Sequence, residues 1–459
     1  MHLPSFLTPA NTVKHPHTFH LLLLASRLNA MPAFEGYDFA TFNFDYAVVA
    51  THHRQAVLDK IPHELRVPEW TQPVHKPIAG KENEPGPSFK QLVASSAQAQ
   101  AVLARVQPDL CERAAVDLVR EMQTGKLKVE DVARSFLAMA ALAHQATACL
   151  SDFFPAQAFV RARELEALPV QERRTRLLFG LPISIKGHFN LAGTGNQRGF
   201  VSDVLRPQSA LHPSFDAAGR GQLLHFEGSY LAERNAQIVD ILLEQGAIII
   251  GKTTMPQSVM HLDTRSHLFG QTYNPANLAL SPGGSSGGES ALLGANGSAA
   301  GLGTDIGGSV RHPCGVVGLY GLRPTCARLP VGGTRSNMPG NESVGATCGP
   351  MVRFARDAEL IMRAVLSCEP WRRDPACLRM PWRNAQNGEV QLEAEREGRP
   401  LRIGVIACDQ VVRPVAPVRR ALEQVQARLQ EAEQGRAFEL KMIDVGKRHA
   451  DAWQIIRSL

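Results

Sequence analysis

Between Gly283 and Gly321 the chain sets 13 of its 38 glycines within 39 residues. Inside a regular helix or strand each glycine costs roughly 0.5–1 kcal/mol relative to alanine. What such density permits is backbone that approaches a ligand closely or takes positive φ, both difficult for a residue carrying a Cβ. A flexible linker is also rich in glycine and serine. A linker, however, has no use for Thr304, Asp305, Ile306, Val310 and Arg311 at set places among its glycines. The segment reads as a built site on an ordered fold.

The 459 residues, 44% apolar and 20% charged, can supply a sizeable core around that segment. Lysine and arginine exceed aspartate and glutamate by only 49 to 43, with no basic run, so no nucleic-acid partner is expected. The eight cysteines are scattered without a CxxC pair, which points to reduced thiols in a cytoplasmic protein rather than a disulfide framework or zinc site. No tight metal-ligand spacing such as HExxH occurs, and His15, His17 and His20 lie where exposure is the default. Leu21 to Ala25 is too short to span a bilayer, and Arg27 spoils it as a secretory signal.

Along the chain, residues 1 to about 50 show no sustained periodicity, and Thr71 to Ser88 reads as a loop. Two amphipathic helices joined at Gly125 are expected from Ala114, with Val129, Val132, Phe136 and Leu137 on one face. A helix follows over Pro155 to Glu166. Leu181, Ile183 and Ile185 then alternate with Pro182, Ser184 and Lys186 as a strand does. Leu231 to Glu244 reads as helix and Ala247 to Ile250 as a buried strand, an order that suggests an α/β layered fold. Beyond residue 350 the pattern predicts a helix (Asp357 to Leu366), a strand (Leu401 to Ala407) and a long helix (Val415 to Glu433).

Two phosphate-binding patterns fail on geometry. Gly246 to Thr253 matches G-x-x-x-x-G-K-[ST], but that loop needs its strand before the first glycine. Here Ile248, Ile249 and Ile250 lie inside the supposed loop and look like the strand itself, and Pro256 interrupts the helix that should follow. Gly301, Gly303 and Gly307 resemble a dinucleotide fingerprint with one residue too many before the third glycine, and no strand precedes them.

Three segments remain: Gly180-Leu-Pro-Ile-Ser-Ile-Lys186-Gly187, Gly283-Gly-Ser-Ser-Gly-Gly288 and Gly303-Thr-Asp-Ile-Gly-Gly-Ser309-Val-Arg311. Together they resemble the amidase signature family, in particular its fungal acetamidase-like general amidases and its fatty acid amide hydrolases. The match is nearly continuous from Gly283 to Pro324 and weaker from about Arg113 to Leu459. The resemblance implies a Ser-Ser-Lys triad. Ser309 would attack the amide carbonyl, Ser285 would relay the proton, and Lys186, neutral through burial, would act as base. It further implies an oxyanion hole of the N–H groups of Ile306, Gly307, Gly308 and Ser309, and a cis peptide bond between Gly284 and Ser285. Ser286, Thr304, Asp305 and Arg311 would support the loops, Cys314 and Cys326 would be core thiols, and His188 would be an exposed or structural histidine. The expected reaction turns a carboxylic amide into acid and ammonia or amine, with no metal or organic cofactor. Its partner is a small-molecule amide, and a homodimer is compatible with the resemblance.

The fold so implied is α/β, one large domain at 89–459 whose mixed central sheet is covered by helices on both faces, after a partly irregular extension at 1–88. Departures from the family stand beside it. Gly187 replaces an aspartate common in bacterial members. Residues 201–228 are an atypical insertion, read as unspliced sequence or a substrate lid. The end, AWQIIRSL, stops within an amphipathic helix where relatives continue. Two other readings follow: an amidotransferase-type subunit supplying ammonia from glutamine, or a truncated, non-catalytic amidase-like protein.

Overall fold

The computed structural model describes residues 46–70, 86–204, 231–338, 340–341, 343–383, 396–433 and 438–458. The expectations for residues 1–45, the loop at 71–85 and most of the insertion, 205–228, lie outside them. The described residues divide into two compact units, one within Met1–Pro339 and Ala346–Arg379, the other within Gly340–Gly345 and Met380–Leu459.

The first unit is built on a six-stranded mixed sheet. Its strands are β1 (Leu150–Phe153), β2 (Pro182–Lys186), β3 (Ile248–Thr253), β6 (Ala300–Asp305), β7 (Tyr320–Gly321) and β8 (Thr347–Val352), in the order β1-β3-β2-β6-β8-β7. The short strands β4 (Arg265–Ser266) and β5 (Gly270–Gln271) pair separately. At the centre β3, β2 and β6 run parallel, while β1, β8 and β7 join antiparallel. The central strands are buried along their whole length, as parallel strands between covering layers must be. The α/β fold class with a mixed sheet is therefore the observed one.

Gly125, at φ 76, separates helices Ala115–Gln123 and Val129–Thr147, as expected from the sequence. The first is amphipathic, burying Leu118, Val119 and Met122. The second is not: it is buried on every side from Ser135 to Thr147, because its run of alanines lets neighbouring elements approach from all directions. Helix Pro155–Glu166 has the expected bounds. The helix expected from Leu231 begins only at Gln237. The N–H groups of Ala232 and Ala236 instead donate to the carbonyls of Thr194 and Asn190, and Leu231 bridges to Gly195. These tertiary bonds hold 231–236 in irregular backbone.

Helix Tyr46–Asp59 buries Val49, Ala50, His53 and Val57, and Val49 packs with Val204, Met255, Leu268 and Phe269. Part of the expected N-terminal extension thus belongs to the core of the first unit. In the second unit β9 (Leu401–Val405), helix Ala416–Glu433 and β10 (Phe438–Met442) form a parallel pair with a helical crossover, followed by helix Gly446–Ser458. Among the described residues no helix is long and apolar enough to cross a membrane.

Candidate active site

The three parallel strands deliver their C-terminal ends to one edge of the sheet, the place where open α/β sheets carry their sites. Lys186 ends β2 beside Thr253 at the end of β3, and Ile185 lies beside Leu302 two residues before Thr304 on β6. Helix Gly287–Gly294 starts just after Ser285 and Ser286 and packs on this part of the sheet. Two loops and three strands therefore meet where the glycine-rich segment folds back.

Lys186 has no solvent exposure, and its Nζ lies 2.6 Å from Ser285 Oγ and 3.2 Å from Thr304 Oγ1. Burial pulls its pKa from 10.5 down to about 7, with the Asp305 and Glu289 carboxylates resisting the shift. Ser285 is fully buried, and the Gly284–Ser285 bond is cis, as the resemblance implied. Gly284 itself admits no side chain, because a Cβ there would stand 2.6 Å from the His261 carbonyl oxygen. Ser309 is 9% exposed, and its carbonyl accepts the Ser286 N–H at 3.1 Å, which ties it to the residue after Ser285. Its hydroxyl forms no hydrogen bond to Ser285 among the described residues. Such contacts are often long in unliganded sites and tighten when substrate is bound.

Asp305 organises the turn between β6 and helix Arg311–Val317. Its buried carboxylate accepts N–H groups from Gly308 (2.8 Å), Val310 (3.1 Å) and Arg311 (3.3 Å), and the Arg311 guanidinium at 3.0 and 2.9 Å. Arg323 adds an ion pair at 3.4 Å. Burial alone would raise the Asp305 pKa, but the Arg311 and main-chain hydrogen bonds outweigh it and leave about 2. Gly308 takes φ 129 in this turn, a conformation open to glycine. One sequence expectation needs correction here. The Gly308 N–H, expected to face an oxyanion, donates its single hydrogen to Asp305. The N–H groups of Ile306, Gly307 and Ser309 have no protein partner among the described residues, and the space beside Gly307 is open to 4 Å.

The supporting residues separate by role. Ser286 Oγ contacts the Thr304 carbonyl at 3.5 Å, so it braces the loop. Thr304 sits closer to the chemistry than expected, touching Lys186 Nζ and, at 2.9 Å, His188 Nε2. His188 is buried, its Nδ1 lies 3.1 Å from the Arg335 carbonyl, and burial lowers its pKa to about 3. It is thus a structural histidine rather than an exposed one. Cys314 packs with Leu293, Val310 and Met351, whereas Cys326 is only half-buried and accepts a bond from Arg323.

Sequence reading missed Glu289. It is fully buried, takes hydrogen bonds from Ser184 Oγ (2.6 Å) and Thr253 Oγ1 (2.8 Å), and burial raises its pKa to about 8 despite them. It ties helix Gly287–Gly294 to β2 and β3 directly behind Lys186. The available signal was its isolation, since it is the only charged residue between Pro282 and Gly303.

Comparison with known proteins shows the family to which this chain belongs. The Amidase family model matches residues 224–456, just over half of the chain. The chain is 36% identical over 320 residues to the acetamidase of Aspergillus oryzae, covering 69% of this chain and 53% of that protein. It is 34% identical over 332 residues to the acetamidase of Emericella nidulans, covering 72% and 56%. A solved fatty acid amide hydrolase superposes with a TM-score of 0.70 at 30% identity, covering 91% of this chain and 66% of that one. The chain spans about half the length of the curated relatives it matches.

Proposed function

We propose that this chain, which belongs to the amidase family, hydrolyses carboxylic amides through an acyl-serine intermediate on Ser309. The observation that carries the reading is the 2.6 Å contact between Ser285 Oγ and a fully buried Lys186 whose pKa is brought to about 7. An amide carbonyl is a poor electrophile, so a serine that attacks it needs a base at hand. A lysine titrating near neutrality is such a base, because a useful fraction of it is unprotonated at the working pH.

In the reaction the Ser309 oxygen bonds to the amide carbon while its proton passes to Ser285 and the Ser285 proton passes to Lys186. The tetrahedral intermediate carries its charge on the former carbonyl oxygen, which the N–H groups of Ile306, Gly307 and Ser309 would bind. Losing one such donor costs about 2.7–4 kcal/mol of transition-state stabilisation. Collapse breaks the carbon–nitrogen bond, and the proton returns through Ser285 to the departing ammonia or amine. Water then attacks the ester by the same relay, releasing the acid and restoring Ser309. Asp305 and Arg311 hold the turn that presents the donors, and Glu289 holds the helix behind Lys186.

Simple hydrolysis is favoured over glutamine-dependent ammonia transfer because the similar proteins include acetamidases and a fatty acid amide hydrolase. The cysteines are all unpaired thiols, which supports a reducing, cytoplasmic setting. The test is covalent labelling with a fluorophosphonate followed by peptide mapping. The expected result is one adduct on Ser309, lost in Ser309→Ala. Folded protein that takes no label, or takes it elsewhere, overturns the reading.

A further inference from the structure

We propose that His188 and Thr304 form a fixed-direction hydrogen-bond relay that aims the lone pair of Lys186 at Ser285, which makes both of them positioning residues for the base. The inference rests on the reading of Lys186 as base and adds to it how the lysine is oriented.

The direction follows from donor and acceptor chemistry, starting at the far end. The Arg335 main-chain oxygen only accepts, so His188 Nδ1, 3.1 Å away, must carry the hydrogen. A neutral imidazole with its hydrogen on Nδ1 has a bare Nε2, which only accepts. The buried ring, with a pKa of about 3, is neutral throughout the working range. Thr304 Oγ1, 2.9 Å from Nε2, must therefore donate its one hydrogen to His188. Its lone pairs are left to accept, and the group within reach is Lys186 Nζ at 3.2 Å. A neutral lysine amine has two hydrogens and one lone pair. With one hydrogen engaged by Thr304, rotation about the terminal bond is restrained, and the lone pair can face Ser285 Oγ at 2.6 Å. Ser285 then donates to Lys186 and keeps its own lone pairs for the Ser309 proton.

The far end of the relay is itself anchored. Arg335 N–H donates to the His188 carbonyl at 3.0 Å, and Asn196 Nδ2 donates to the same oxygen at 2.8 Å. Arg335 Nη1 reaches the Asn196 carbonyl at 2.8 Å. His188 is thus held at both ring nitrogens and at its main chain. The titratable groups around the relay are Asp305 on β6, Glu289 on the helix behind Lys186, Lys252 on β3, and Arg335 with its ion-pair partner Asp203 at 3.2 Å.

The experiment measures the rate of fluorophosphonate labelling of Ser309 in the full chain, at a pH above 8 where Lys186 is largely neutral. Thr304→Val, His188→Leu and their double variant are compared, each confirmed as folded by a cooperative thermal melt. Each single variant is expected to slow labelling about tenfold, and the double variant by no more than either alone, because a serial relay is broken once. Thr304→Ser restores the rate. Multiplying effects in the double variant, or wild-type rates in either single variant, overturn the relay. Should a variant fail to melt cooperatively, 15N spectra of histidine-labelled wild-type protein decide: a His188 hydrogen on Nδ1 is expected, and one on Nε2 overturns the relay. Lys186→Ala separates the two levels. If it labels at the wild-type rate, the base assignment fails and the relay with it. If Lys186→Ala is slow while Thr304→Val is not, the relay alone fails.

Discussion

Lys186 and Lys252 make a natural pair. Lys186 is the last residue of β2 and Lys252 the last but one of the neighbouring parallel strand β3, both are without solvent exposure, and burial brings each from 10.5 to about 7. Their surroundings differ. Lys186 Nζ meets the hydroxyls of Ser285 and Thr304, groups that both give and take a proton. Lys252 Nζ meets the Gly195 carbonyl at 2.7 Å, which can only accept. Burial makes a lysine weakly basic enough to be neutral, but only a hydroxyl neighbour lets it exchange protons with a substrate. A lowered pKa thus identifies two candidates, and hydrogen-bond chemistry chooses between them.

The sharpest way to break the comparison is to remove each lysine in turn. Lys186→Ala is expected to slow Ser309 labelling by roughly 10²–10⁴, the usual range for a lost general base, and Ser285→Ala to approach it. Lys252→Met should label within about threefold of wild type, since nothing in its contacts serves proton transfer. Its effect belongs to stability. A lysine at about 7 when folded and 10.5 when unfolded binds fewer protons in the folded state between those values, so stability rises with pH across that window. Lys252→Met should flatten that rise in urea unfolding from pH 7 to 10. Equal losses of labelling in both lysine variants would erase the distinction.

The pH dependence of labelling sharpens it further. On the proposed mechanism Ser309 modification needs neutral Lys186, so the rate should climb about tenfold per pH unit below 7 and level off above it. Its midpoint should stay put in Lys252→Met, because Lys252 is not among the groups that shift Lys186. A midpoint that follows the Lys252 substitution would make Lys252 part of the titrating site.

How much of this could be read in the sequence differs by kind of information. Local patterns identified the strand at Lys186, the helices on either side of Gly125 and the long helix at 416–433, because side-chain periodicity follows from element geometry. The same reasoning told β3 from a phosphate loop, since three isoleucines before Lys252 have no place in a phosphate cradle. What the pattern could not carry was set by distant main-chain bonds. Residues 231–236 look helical until Thr194 and Asn190 claim their N–H groups. Likewise, Gly308 looks like a free donor until Asp305, three residues earlier, turns back onto it. The roles of His188 and Thr304 depend on Arg335, 147 residues beyond His188, and no local spacing encodes that contact.

Asp305 offers a test of smaller size. Its carboxyl falls from 3.8 to about 2 on folding, so it contributes about 2 kcal/mol that is fully present above pH 3.8 and fades as the pH drops toward 2. Asp305→Asn should lose that amount in urea unfolding at pH 7 and about half of it at pH 3. It should also slow labelling, since the turn presenting Ile306, Gly307 and Ser309 is built on that carboxylate. A variant as stable as wild type at pH 7 would show that the turn holds without it.

The smallest effect is expected at Ser286, which repeats the lesson of the two lysines on adjacent serines. Ser285 and Ser286 are equally buried and both precede the same helix. The Ser286 hydroxyl, however, reaches only the Thr304 carbonyl at 3.5 Å, the outer limit for a hydrogen bond. Its main-chain bond to Ser309 does not depend on the side chain. Ser286→Ala should therefore cost no more than about 0.5–1 kcal/mol in stability, with labelling close to wild type. A loss as deep as that of Ser285→Ala would mean that the relay passes through both hydroxyls, and that the partner a buried group touches at rest is not the partner it serves during reaction.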